Sequence, residues 1–394
     1  LMAYRYDRRK GALLFTVALA LEILVGHIQI TYYGLLALLV FGITELVYAL
    51  REKRSLPFLK TTGWLVAGAL LAVAVNFSYL YSNYKFSKET IRGKSELTHN
   101  SENQTSGLDK DYVVQWSQGI SETMTLLIPG YMGGSHTTSP GQDSESYRIL
   151  RERGVENPRQ ALGSVILYHG EKPYTSGPYY AGAIVVFLFV LGLFVVRGAD
   201  RWWLLAATLL SFVLSWGKYV MPLTSFLLDY LPMYNKFRAP EMTLVIAGIT
   251  MPLLGFLALR EIGSGKVEKR AWQKGLKWAF GITGGIALLL ALLPGLAGSF
   301  SAPFDGSYPD WLLDAVVSDR KTMLRNDAFR SFLFIALAAG ALLLWQLKKI
   351  KPGWFYGALA LLILTDLWFV DKRYLNKSHR SEERRVGKEC RSRW

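Results

Sequence analysis

This sequence predicts an all-α polytopic membrane protein with about nine transmembrane helices, one large extracytoplasmic insertion and short interfacial amphipathic helices. Three observations lead there. Apolar residues are bunched into blocks along the 394 residues. Nine of those blocks approach the roughly 20 residues that a helix needs to cross a hydrocarbon core. Lysine and arginine also rise and fall from one connection to the next, as they do when a chain crosses a membrane repeatedly. The hydrophobic content of 51% lies close to the globular mean because a polar insertion dilutes the apolar stretches, so local windows decide the class.

In chain order the stretches run Gly11 to Ile30, Thr31 to Leu50, Thr61 to Leu80, Tyr180 to Val196, Trp202 to Trp216, Met242 to Leu259, Trp278 to Ala297, Ser331 to Leu347 and Phe355 to Val370. Runs such as "ALLAVAV", "VVFLFVLGLFVV" and "IALLLALL" lack the polar face that a soluble amphipathic helix keeps. Irregular backbone cannot face lipid, so each stretch reads as helix. With the first ten residues on the cytoplasmic side, inner connections carry 19 cations in 50 residues and outer ones 10 in 67. That asymmetry sets the orientation in the membrane, and the net charge of +15 then needs no nucleic-acid partner.

The chain divides into residues 1–80 with three spans, a loop region 81–179, residues 180–259 with three spans and an interfacial helix at 222–232, and residues 260–379 with three spans and an outer segment 298–330. Residues 380–394, "RSEERRVGKECRSRW", resemble the in-frame translation of a sequencing-library adapter and are set aside. They carry six cations and three glutamates, so without them the charge falls from +15 to +12. They also hold the only cysteine, Cys390, which leaves no disulfide or thiolate site to expect. The opening "LMAYRYDRRKG" has no Met at position 1 and no signal-peptide layout, and an internal fragment is expected.

On this topology the insertion Tyr81 to Tyr179 is extracytoplasmic, with ten cations against eleven carboxylates. Its aromatic stretch Asp111 to Gly134 is expected to pack on the outer membrane face, and Ser135 to Glu145 to be mobile. Between Pro222 and Pro232, Leu223, Phe226, Leu227, Tyr230 and Leu231 recur at helical spacing and form one apolar stripe, the mark of an interfacial helix. A second amphipathic piece, Asp310 to Arg325, is expected in the same layer.

Two stretches carry candidate chemistry. In "LPMYNKFRAPE", Lys236 and Arg238 oppose the general charge bias on the outer side. Guanidinium grips phosphate through paired hydrogen bonds, so a phosphate-bearing lipid is one ligand, and pairing with Asp229, Glu241 or bulk headgroups is the alternative. In "GHIQITYY" with its preceding helix, Glu22, Gly26, Gln29 and Tyr33 would form a polar track if the helix continued that far, and His27 lies within it. A carboxylate midway through a span is costly, so Glu22 is a functional candidate against a structural hydrogen bond. Glu45 reads as structural, within reach of Arg51 or Lys53, and Asp366 is open to either reading. Trp116 and Glu122 in the insertion are candidates for holding a sugar ring, with interfacial anchoring the competing role of Trp116. His99, His136 and His169 show no metal-ligand spacing and are expected to be solvated loop histidines. No cofactor is implied, and a divalent metal is left open.

The sequence resembles the YfhO-like bacterial integral membrane proteins, which belong with the polytopic lipid-linked-sugar glycosyltransferases called GT-C. The resemblance rests on "GHIQITYY", "WSQGISETMTLLIPGYMGG", "GPYYAG", "LSWG", "LPMYNKFRAPE" and "RNDAFRS", in that order over nearly all of Leu1 to His379. It implies transfer of a glycosyl unit from a polyprenyl-phosphate-linked sugar to an envelope glycopolymer acceptor, and position and charge would put Arg238, with Lys236 assisting, at the donor phosphate. Trp116, Glu122, His27, Gln29 and Glu22 would lie around the substrate. Enzymes of this class place an acidic motif in the loop after their first span. The first outer turn here is only "GHIQITYY", so the catalytic base is unassigned. A lipid or solute transporter and a noncatalytic envelope-assembly protein are the competing classes.

Overall fold

Long apolar runs with few helix breakers fold as helices, and the breaks fall where glycine, proline or a polar pair interrupts them. In the computed structural model, residues 1–93, 103–265 and 267–375 are described, and among them there is helix but no strand. The principal helices are α1 (Arg8–Leu24), α2 (Ile28–Arg51), α3 (Ser55–Val75), α4 (Phe77–Lys88), α5 (Glu145–Glu152) and α6 (Ala183–Val195). They continue as α7 (Ala199–Ser215), α8 (Met221–Tyr230), α9 (Leu244–Gly263), α10 (Lys269–Leu292), α11 (Asp310–Gln346) and α12 (Pro352–Tyr374).

Each apolar stretch expected to span holds a helix, but the stretches from Gly11 and Thr61 are broken at Gly26 and Asn76, and not every helix is long enough to cross. Among the described residues, six helices have the length and composition to cross a membrane: α2, α3, α9 with the short turn leading into it, α10, α11 and α12. The pair α7 and α8, bent by 100°, makes a seventh if it counts as one span. Helix α1 is shorter because Gly26, at φ +88°, turns the chain after Leu24. Helix α6 has 13 residues and is also short. The polar track expected from Glu22 to Tyr33 is therefore interrupted, and Glu22 stands two residues from the end of its helix rather than midway along a span.

The chain forms two units. The first comprises Leu1–Ile120 and Val196–Leu254, the second Ser121–Val195 and Gly255–Trp394. In the first unit, α1 lies so close to α3 that a Cβ at Gly68 would meet the Thr16 hydroxyl at 2.2 Å. Leu19, Ile23 and Ala72 fill that seam, and Asn76 donates to the carbonyl of Ala20. Helix α7 joins the start of α9 through buried hydroxyls, with Thr208 and Thr250 at 2.7 Å and Ser211 donating to the carbonyl of Thr243. Small and hydroxyl residues do this work in apolar surroundings because close backbone approach and hydrogen bonds replace hydrophobic burial between helices. Outward faces stay apolar: Leu13, Leu14, Val17 and Leu21 of α1 and Leu38, Leu39 and Ile43 of α2 are all exposed.

In the second unit, α11 is the central strut. Its 37 residues extend about 55 Å at 1.5 Å per residue, well beyond a hydrocarbon core of about 30 Å. The amphipathic piece at Asp310 and the stretch from Ser331 are thus one continuous helix, which corrects the expectation of a separate surface-lying segment. Polar side chains spaced along it bind neighbouring elements. Asp319 accepts from the amides of Glu145 and Ser146 at the start of α5. Arg320, fully buried, forms a bidentate pair with Asp305 at 2.8 Å and donates to the carbonyls of Leu167, Ile166 and Phe300. Asp327 takes two bonds from Arg373 of α12, and Arg330 donates to Asp366 at 2.7 Å. Asp366 also accepts from the Tyr180 hydroxyl and the Ala183 amide, so its role is structural.

Two further expectations change here. The segment Ser135 to Glu145 is held by neighbours: Ser135 is fully buried, the Leu167 amide donates to the Thr138 carbonyl, and the His136 amide donates to that of Thr175. His136 and His169 are packed rather than solvated. His136 stacks against Tyr168 and Tyr174, while His169 lies against Phe300 and burial depresses its pKa to about 4. His99 and the tail 380–394 lie outside the described residues.

Arg320→Ala would leave Asp305 buried without its cation and is expected to cost about 3–5 kcal/mol of stability. Thermal unfolding of the detergent-solubilised protein checks this, and an unchanged midpoint would show that the pair does not support the unit.

Candidate functional site

The first unit brings three separated stretches together. After α8 the chain forms short turns at Tyr234–Lys236 and Pro240–Thr243, and between them it runs along residues 108–116. The Leu108 amide donates to the Asn235 carbonyl, Ala239 to Val113, and Glu241 to Trp116. Gly107 is required at this approach, since a Cβ there would meet the Asn235 carbonyl oxygen at 2.4 Å. Met233 (φ +65°) and Ala239 (φ +58°) both sit in the left-handed region that non-glycine residues rarely occupy. Such strain persists only where surrounding bonds over-determine the backbone, and the bonds on either side of Arg238 do so.

The third stretch is "GHIQITYY". Gln29, buried at the start of α2, donates to the Arg238 carbonyl at 2.6 Å and to the Tyr33 hydroxyl at 2.9 Å. The Tyr32 hydroxyl donates to the Pro232 carbonyl, and the rings of Tyr32 and Tyr33 pack on Phe237 at 5.1 and 6.4 Å between centroids. The backbone of Arg238 is thereby fixed from below while its side chain remains exposed.

The guanidinium of Arg238 lies 5.4 Å from the centroid of the Trp116 ring and 5.6 Å from that of Tyr112, whose hydroxyl accepts from Nη1 at 2.6 Å. These two rings stand four residues apart around the short helix Lys110–Val114, a spacing that puts them on one side. No carboxylate pairs with Arg238 among the described residues. Asp229, an expected partner, is instead bonded to Lys110 at 2.9 Å. A guanidinium has five N–H donors, so most of this one's capacity faces outward, oriented by aromatic faces.

Lys236 is engaged differently. Its ammonium donates to the carbonyls of Arg92 and Ser106, and Arg92 returns a bond to the Lys236 carbonyl. Partial burial lowers its pKa from the usual lysine value. Its contacts tie residues 92 and 106 to the turn, which makes it mainly a brace. His27 and Glu22 are exposed on either side of the Gly26 turn, with His27 two residues before Gln29. Glu122 belongs to the second unit, where it is buried, pairs with buried Lys172 at 3.1 Å and accepts from Tyr168. The structure therefore joins Arg238, Trp116, Gln29 and the Lys236 brace in one place and gives Glu122 a separate ion-pair setting. Sequence reasoning missed Tyr112 and Tyr32 as partners, although the i, i+4 spacing of Tyr112 and Trp116 was a usable signal, while Tyr33, named with Gln29 on the polar track, does bond it.

The second unit also has a cleft of about 480 Å³ between residues 140–145 and one face of α11, reaching Arg373. Of its four carboxylates, Asp319 and Asp327 are engaged in the bonds described above, Glu145 pairs with Arg148, and Asp143 is exposed. Among the described residues, no three His, Cys, Asp or Glu side chains are grouped as metal ligands would be.

Gln29→Leu would strip the Arg238 carbonyl of its buried donor, a loss of about 1–3 kcal/mol at that point. Faster tryptic cleavage after Lys236 and Arg238 in the folded variant is the expected readout, and unchanged cleavage would show that Gln29 does not hold the turn. In comparisons with known proteins, no family model, no curated protein and no solved structure matches the chain.

Proposed function

We propose that this chain is a YfhO-like membrane glycosyltransferase of GT-C type, in which Arg238 grips the phosphate of a polyprenyl-phosphate-linked sugar at the outer surface of the cytoplasmic membrane. The observation that carries this reading is the state of the Arg238 side chain: exposed, without a carboxylate partner among the described residues, and aimed by two aromatic rings. Structural arginines elsewhere, such as Arg320 and Arg373, end on carboxylates.

The neighbouring helix α8 supports a position at the lipid surface. Leu223, Phe226 and Tyr230 of the expected stripe are exposed while Thr224 and Leu228 are buried, so the apolar face turns away from the protein. Such a helix suits the headgroup boundary, where Arg238 would meet phosphate. In this reading the nine apolar helices all contribute to the membrane domain, the shorter ones beside the six long ones, and residues 81–179 lie outside.

During glycosyl transfer, negative charge grows on the departing polyprenyl phosphate, and a cation already fixed in place lowers that barrier without reorganising. Trp116 would offer a ring face to the sugar beside the guanidinium, and the envelope glycopolymer would accept the glycosyl unit. Exposed His27 and Glu22 flank the adjacent Gly26 turn and would supply contacts to the donor or acceptor.

Arg238→Ala is expected to lower transfer from a polyprenyl-phosphate sugar by about 100-fold, with Arg238→Lys retaining part of the activity. Unchanged transfer in a folded Ala variant overturns the phosphate role. For orientation, single cysteines replacing Met233 and Lys60 in a Cys390→Ser background test the sidedness. Met233→Cys should react with an impermeant thiol reagent in intact cells and Lys60→Cys only after permeabilisation, and the reverse pattern would place Arg238 on the wrong side.

A further inference from the structure

Away from Arg238, the first unit holds a second cavity, of about 180 Å³, lined by Tyr4, Arg5, Arg8, Glu45, Arg54 and Phe58 among others. A water takes about 30 Å³ of liquid volume, so this space equals about six waters and suits a phosphate with part of its ester. We propose that this cavity binds the phosphate group of an anionic phospholipid at the basic end of the helix bundle, independently of the function assigned to Arg238.

The charges around the cavity are unevenly used. Its one carboxylate, Glu45, is bonded to Arg5, which also donates to Asp200 at 2.8 Å, so this acid is already neutralised. The expected partners of Glu45, Arg51 or Lys53, are replaced by Arg5. Arg8 donates through Nε to Thr61 at 3.0 Å, and its two terminal nitrogens have no partner among the described residues. Arg54 binds Glu52 through Nε and Nη2 and keeps Nη1. Two guanidinium groups with spare donors thus border one cavity, the arrangement that phosphate oxygens fill by paired charge-assisted bonds.

The surroundings point to a lipid rather than a soluble anion. The segments 1–10 and 51–60 together carry eight cations against two carboxylates, and basic pockets between membrane helices at such ends take lipid headgroups. Tyr4 stacks on Phe58 at 5.3 Å to form an apolar wall, and beside it Leu50, Leu56 and Leu59 are exposed, leaving apolar surface for acyl chains.

Native mass spectrometry of the full chain in detergent, with phosphatidylglycerol or phosphatidylcholine added, tests the site. Phosphatidylglycerol should be retained preferentially, and Arg8→Gln combined with Arg54→Gln should reduce its binding about tenfold. Arg9→Gln, which like Arg54→Gln alone removes one charge, but from an exposed neighbour outside the cavity, should change binding by less than about twofold. If the double variant fails to fold, exposed Arg54→Gln alone serves, and a measurable loss is still expected. Equal retention of the two lipids, an equal loss in Arg9→Gln, or displacement of phosphatidylglycerol by millimolar inorganic phosphate would each overturn the proposal.

Discussion

The satisfaction of polar groups among apolar helices is the constraint on which this structure depends. Where outward faces are leucine and valine, a buried carbonyl, amide or charge cannot turn to water and must find a partner inside the chain. The structure meets this with short, specific bonds at wide intervals. Gln29 to the Arg238 carbonyl, Ser211 to Thr243, Asn76 to Ala20 and Arg320 to the Leu167 carbonyl each join elements separated in sequence. Removing one partner leaves the other stranded, so each such bond specifies geometry beyond its net contribution to stability.

Seen through that constraint, the cations sort into kinds. Arg320 and Arg373 end on carboxylates and hold helices together. Lys236 ends on backbone carbonyls and holds a turn. Arg238 has its main chain fixed by Gln29 and its side chain steered by Tyr112 and Trp116 toward the exterior. The energy that holds this residue in place is thus separate from the donors it presents, which is what a binding group requires. The left-handed backbone at Ala239 fits the same account, since strain beside a presented side chain is sustained by the surrounding bonds.

Helix α11 shows how a motif can look functional while being structural. In "RNDAFRS", Asp327, Arg330 and Ser331 each bind a different partner within the second unit: Arg373, Asp366 and the Leu127 carbonyl. Tyr180 of "GPYYAG" reaches the same Asp366. In both stretches these buried or half-buried polar residues secure α11, α12 and the start of α6. Their polar content reflects the demands of burial, and the chemistry of a substrate is not needed to explain it.

The sequence by itself determined that the chain is helical and apolar enough to enter a membrane, because hydropathy and helix-forming runs are local properties read over about 20 residues. It also singled out Arg238 and Gln29, since a cation against the charge bias and an amide in an apolar stretch are conspicuous wherever they fold. Tertiary structure alone decided that Gln29 and Arg238 meet, that Tyr112 and Trp116 flank the guanidinium, that Glu122 pairs with Lys172, and that α1 stops at Leu24. Those outcomes depend on which distant groups complete each other's hydrogen bonds once water is excluded. Pairing of that kind has no period along the chain, so it becomes visible only when the helices have packed.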